Sequence, residues 1–86
     1  MKVQLPTPLV EYTGGVREVR AAGGSIAALL VDLDRQYPGI RFRMIDEQDR
    51  FRLHIRLFVN RQLARTLALP LNPDDEILII AALSGG

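Results

Sequence analysis

Between Ser25 and Tyr37 the apolar residues fall at Ile26, Leu29, Leu30, Leu33 and Tyr37, offsets of 0, 3, 4, 7 and 11. That spacing draws one face of an α-helix. Asp32, Arg35 and Gln36 fall largely off the stripe. Ser25 is a good N-cap, because its hydroxyl can accept from an amide that has no partner within the helix. Pro38-Gly39 stops the helix. Elsewhere the period is two. Leu53, Ile55, Leu57 and Val59 alternate with His54, Arg56, Phe58 and Asn60, which predicts a strand. Lys2 to Leu5 alternates in the same way, and Val16 to Ala21 reads as a further strand. Ile77 to Ile80 is continuously apolar, as expected of a central strand with both faces covered, or with one face offered to a partner.

The residues between these segments predict how they connect. Pro6 and Pro8 interrupt pairing after the first strand, so a bend or bulge is expected there, with Leu9 to Thr13 continuing the strand. Gly14-Gly15 supplies a turn, since glycine tolerates the positive φ of tight hairpins. Together these give an N-terminal hairpin. Ile40 to Arg52 is irregular and carries Asp46, Glu47, Asp49, Arg50 and Arg52, so an exposed connection is expected. Asn60-Arg61-Gln62 is a turn, Leu63 to Leu69 a short irregular strand or loop, and Pro70 to Asp75 another turn. The order is hairpin, helix, strand, short strand, final strand. One amphipathic helix must then cover one face of a small sheet. The expected class is α+β, a β-grasp (ubiquitin-like) fold. It has a mixed sheet of four or five strands, the terminal strands side by side at its centre, and one main helix on one face.

At 86 residues the chain makes one domain with a small core. Residues 1–80 are expected to form it, with 81–86 a flexible tail ending in Gly-Gly. The sequence contains no cysteine, which excludes disulfides, thiolate metal sites and a thiol nucleophile. With a single histidine, no metal site or autonomous hydrolytic triad is expected. The net charge of +1 is too balanced for a phosphate-binding face, so no nucleic-acid partner is expected. No apolar run is long enough for a bilayer, and no secretory signal is visible, so no membrane partner and a cytoplasmic location are expected.

Of seven glycines, six occur in pairs: Gly14-Gly15, Gly23-Gly24 and Gly85-Gly86. The last pair ends the chain. Two glycines there cannot pack a core, but they can thread a narrow channel and present a carboxylate to another protein's active site. Ala81 to Gly86 carries no charge, no proline and no large side chain but Leu83. Extended, those residues reach roughly 20 Å. The expectation is that Gly86 bears the reactive group, with Ser84 and Gly85 threading the channel and Gly85 and Gly86 in its narrowest part.

Several segments together resemble the ubiquitin-like sulfur carrier proteins of the MoaD/ThiS group. They are Leu5-Pro6-Thr7-Pro8-Leu9, Tyr12-Thr13-Gly14-Gly15, Tyr37-Pro38-Gly39-Ile40, Ile55 to Asn60, Asp75 to Ala82 and the Gly-Gly end. Their order spans essentially the whole chain. The Pro-Thr-x-Leu and Thr-Gly-Gly pieces look closest to the CysO-like, cysteine-biosynthesis branch. The Ser84-Gly85-Gly86 ending also looks like the molybdopterin-synthase small subunits. The resemblance implies a carrier that catalyses nothing itself and binds no cofactor. An E1-like enzyme would adenylate Gly86 using ATP, and a sulfur donor would convert it to a thiocarboxylate. A sulfur-accepting synthase, cysteine synthase-like or the molybdopterin synthase large subunit, would take the sulfur. The alternatives are a molybdopterin synthase small subunit and a protein modifier conjugated through Gly86. Lys2 is the only lysine, which argues mildly against chain building. A monomer is expected.

Phe58 shares a strand face with His54 and Arg56, and Leu78 and Ile80 share a face of the last strand. If these faces coincide, Phe58, Leu78 and Ile80 form an apolar docking patch for the activating enzyme. The competing expectation buries Phe58 beneath the Ile40 to Arg52 connection. His54 is expected to face solvent, and Arg41, Arg43, Arg50, Arg52 and Arg56 to share a solvated mixed face with the nearby acids. Asp74, Asp75 and Glu76 form an acidic turn that could meet arginines of a partner.

Overall fold

The computed structural model describes residues 1–82. In chain order it has β1 (Lys2–Gln4), a 3₁₀ helix (Thr7–Thr13), β2 (Glu18–Arg20), α1 (Ile26–Gln36), α2 (Ile40–Met44), β3 (Ile55–Val59), β4 (Gln62–Leu63) and β5 (Glu76–Ala81). The strands form one five-stranded sheet in the order β2-β1-β5-β3-β4. β1 runs antiparallel to β2 and parallel to β5, and β3 runs antiparallel to both β5 and β4. The first and last strands therefore lie side by side inside a mixed sheet, as the element order predicts. This is the ubiquitin-like β-grasp.

Helix α1 covers one face of that sheet. Ile26, Leu29, Leu30 and Leu33 are fully buried, against Val3, Ile55, Leu57, Ile77 and Ile79. Each such side chain removed from water contributes about 1.5–3 kcal/mol. Ser25 caps the helix as expected, its hydroxyl accepting from Ala28 N at 3.2 Å. The polar side of α1 fastens the neighbouring chain. Asp32 accepts from the Ala22 amide at 2.9 Å, and Gln36 donates to the Arg20 carbonyl at 3.0 Å. The segment entering α1 runs hard against it. A Cβ on Gly23 would lie 2.8 Å from the Ala28 carbonyl carbon and closer still to Leu29 N.

Two connections differ from their sequence expectations. Leu9 to Thr13 does not continue β1; Thr7–Thr13 is a 3₁₀ helix. Pro6 and Pro8 fix their own φ and lack donors, so the ladder cannot pass them. Leu9 N–H turns back to the Pro6 carbonyl at 2.9 Å, and the Leu9 side chain enters the core. β1 and β2 still pair as a hairpin arm, with the helix as their connection.

Nor is Ile40 to Arg52 merely an exposed link. Its first half is α2, and Ile40, Met44 and Ile45 are buried in the common core with α1. The Asp34 carboxylate of α1 accepts from Gly39 N and Arg41 N, both at 3.1 Å, and so supplies the cap that Gly39 lacks. Gly39 holds φ of 97°, which only glycine adopts freely. The interleaved arginines hid the short apolar period.

The turn after β3 closes as expected, though only Asn60 and Arg61 form it, both with positive φ, and Gln62 already belongs to β4. Asn60 also clamps the approach to β5. Its amide donates to Asp75 at 2.9 Å and its carbonyl accepts from Glu76 N at 3.0 Å. Asp75 accepts in turn from Asn72 N at 2.8 Å. Among the described residues no helix is long and apolar enough to cross a membrane.

Replacing Gly23 by Ala forces α1 away from the sheet edge. The expected cost is about 2–3 kcal/mol of unfolding free energy. Gly24→Ala meets open space and is expected to be neutral or slightly stabilising. Denaturant unfolding of both variants checks the contrast.

Three aspartates set the acid response. Arg35 and the Ala22 amide hold Asp32 below the ordinary carboxylate range. The Arg50 and Gln48 amides do so for Asp46, and the Asn72 amide with Asn60 for Asp75. Lowered folded values mean stability that is present above about pH 4 and lost as pH falls through those values. Thermal midpoints are expected to hold from neutral pH to about 5 and then fall. An Asp75→Asn variant should melt below wild type at pH 7, with the gap narrowing in acid.

Candidate functional site

The period of two along β3 and β5 puts one set of side chains under α1 and the other on the open face. Ile55, Leu57 and Val59 point inward from β3, and Ile77 and Ile79 from β5. The register then decides what meets outside. Phe58 lies directly opposite Leu78 on β5 and opposite Leu63 on β4. Arg56 lies opposite Ile80, and Gln4 of β1 opposite Leu78. One row across the sheet thus reads Gln4, Leu78, Phe58, Leu63, with Ile80 one step nearer the end of β5. Leu63, Leu78 and Ile80 are 38%, 38% and 39% exposed, while Phe58 is half-buried among them.

The sheet therefore brings Phe58, Leu78 and Ile80 onto one open face. The burial of Phe58 beneath residues 40–52 is corrected: α2 packs with α1 on the opposite face, and the partial cover comes from cross-strand neighbours. The choice left open for Ile77 to Ile80 resolves the same way. β5 is paired on both edges, but only one of its faces is covered.

Charges frame this surface. The Arg56 guanidinium folds back to the Leu53 carbonyl at 2.7 Å and the Ile55 carbonyl at 3.1 Å. Lys2 stands opposite Glu76 and Arg20. At the end of β5, Pro6, Pro8 and Arg17 wall an open groove against Leu78 and Ile80. Sequence reasoning missed this groove, although two prolines directly after a strand were its signal. The β1 register stops at Gln4 opposite Leu78, while β3 follows β5 to Ala81.

His54 is exposed, and its carbonyl accepts from Ala82 N at 2.7 Å. It lies just outside β3, so its contribution is a backbone tie. Arg41 pairs with Asp49 at 3.2 Å and Arg50 with Asp46 at 3.7 Å, as expected of a mixed solvated face, whereas Arg52 and Arg56 donate to backbone carbonyls instead. Asp75 is taken up by Asn60 and Asn72 rather than free for a partner. Ser84, Gly85 and Gly86 lie outside the described residues.

A mixed sheet gripping one helix, with an apolar patch on its open face, defines a ubiquitin-like β-grasp domain. The ThiS family model matches residues 3–86, and the chain belongs to that family. It is 34% identical over 89 residues to the sulfur carrier protein CysO of Mycobacterium tuberculosis, covering 98% of this chain and 96% of that one. Among solved structures it resembles a chain of the Amycolatopsis orientalis BexX/CysO complex. The TM-score is 0.90 at 27% identity, over 99% of this chain and 98% of that one. The small archaeal modifier protein 1 of Methanosarcina acetivorans gives 0.81 at 26% identity, over 99% and 94%.

Phe58 separates docking from core packing. Phe58→Ala is expected to cost about 1–2 kcal/mol, from half a side chain's burial and its cross-strand pairs. A fully buried phenylalanine would cost about 3–5. Chemical denaturation measures this directly.

Proposed function

We propose that this protein is a sulfur carrier whose Gly86 carboxylate is activated and then converted to a thiocarboxylate. The observation that carries the reading is the family match, which runs through residue 86, at the end of a chain whose central strand leads to those residues. The geometry supports it. β5 is paired on both edges and bonded once more through Ala82, so the last residues start from a fixed point.

A carboxylate is a poor electrophile, because its charge is delocalised over both oxygens. In the proposed route an E1-like enzyme transfers AMP from ATP to the Gly86 carboxylate, and pyrophosphate leaves. A sulfur donor then attacks the carbonyl and displaces AMP, leaving –COSH. A second enzyme accepts that sulfur. The likeness to CysO supports an acceptor in cysteine biosynthesis. Phe58, Leu78 and Ile80 supply the docking face for the activating enzyme, Ser84 and Gly85 thread its channel, and Gly85 and Gly86 take the narrowest part, where a Cβ would crowd the walls. The carrier acts as co-substrate to both enzymes and contributes no catalytic side chain.

The likeness to a small archaeal modifier protein favours one second reading, conjugation of Gly86 to amines of other proteins. It shares the activation step and differs in the acceptor.

Incubation with ATP, sulfide and the host's activating enzyme is expected to add about 16 Da, sulfur for oxygen by the mass balance of the step above. Fragmentation must map the gain to the C-terminal peptide, because oxidation of Met1 or Met44 adds the same mass. No gain at that peptide, with covalent conjugates to other proteins instead, would replace the carrier reading by the modifier reading.

A further inference from the structure

The docking face accounts for one side of the sheet, but the chain leaves the sheet beside a different surface. Ala82 is tied to the His54 carbonyl, and the residue before His54 is Leu53. Leu53 is 93% exposed, more than any other large apolar side chain among the described residues. Its turn is nevertheless well fixed. Ile55 N–H donates to the Arg52 carbonyl at 2.9 Å, and Arg56 donates to the Leu53 carbonyl at 2.7 Å. Arg52 Nε donates to the Phe42 carbonyl at 2.7 Å, and its guanidinium lies 4.6 Å from the Phe42 ring centroid. Phe42 is itself 59% exposed and lines one hollow with His54.

An exposed leucine alone is ordinary. Its position is what carries weight. Four residues separate Ala82 from the Gly86 carboxylate, about 13 Å when extended. An enzyme holding Gly86 in its active site therefore stands within that distance of Ala82. A stable interface covers about 800 Å² on each partner, a disc of roughly 16 Å radius. A footprint of that size centred on the departing chain includes the residue beside His54.

We propose that Leu53 and Phe42 form a second contact surface, a rim at the point where the chain leaves the sheet, on which the activating enzyme seats the mouth of its channel. This rests on the carrier reading. The partner surface opposite Leu53 is apolar, and the rim acts by aligning the last residues with the channel rather than by chemistry. It is separate from the Phe58 face, because Leu53 and Phe42 lie outside the strands that build that face.

The test is Leu53→Ser, with Leu53→Met as the conservative variant and Val31→Ser, on the exposed side of α1, as control. ATP–pyrophosphate exchange by the host's activating enzyme is measured against carrier concentration. For Leu53→Ser the KM for carrier is expected to rise at least tenfold, with kcat changed less than twofold and the melting temperature unaltered. Leu53→Met should restore the KM, and Val31→Ser should match wild type. A Leu53→Ser KM within twofold of wild type would overturn the rim. Absence of exchange with wild-type carrier would instead overturn the carrier reading itself, and the rim with it.

Discussion

Strand β5 is paired on both edges, and the other elements are arranged around that pairing. Its parallel partner β1 and antiparallel partner β3 fix its backbone from either side. A parallel pair cannot be joined by a tight turn, so everything between β1 and β5 serves as their crossover. α1 provides the apolar cover that this crossover requires, and the caps from Ser25, Asp32 and Asp34 hold the surrounding segments to it.

The same pairing creates the site. With Ile77 and Ile79 committed to the core, Leu78 and Ile80 must point outward. The antiparallel register with β3 then places Phe58 beside Leu78. The open apolar face is a consequence of strand alternation, and it needs no special backbone. The clamp of Asn60 on Asp75 and Glu76 sets where β5 begins. The bond from Ala82 to His54 carries its alignment one residue past the strand.

Leu53 belongs to the same logic from the other side. The turn before β3 reverses the chain beside the end of β5, so what it exposes stands near Ala82. Its hydrogen bonds leave it little freedom to withdraw.

The sequence determined the helix, the principal strands and the order that makes a β-grasp. These follow from local periods, and the core they imply, Ile26 to Leu33 against Ile55, Leu57, Ile77 and Ile79, is the core observed. The residues of the open apolar face were legible too, because alternation assigns each a side. Tertiary structure decided what depends on distant partners. Asp34 turns Ile40 to Met44 into a buried helix by capping it from α1, and no local pattern announces that. Pro6 and Pro8 end the ladder locally, and the burial of Leu9 in the core seats the 3₁₀ helix that follows. Whether the outward residues of β3 and β5 meet at all is a matter of register, set by pairing between segments some twenty residues apart in the chain. Local sequence fixes which way a side chain faces, whereas only the folded sheet fixes what stands beside it.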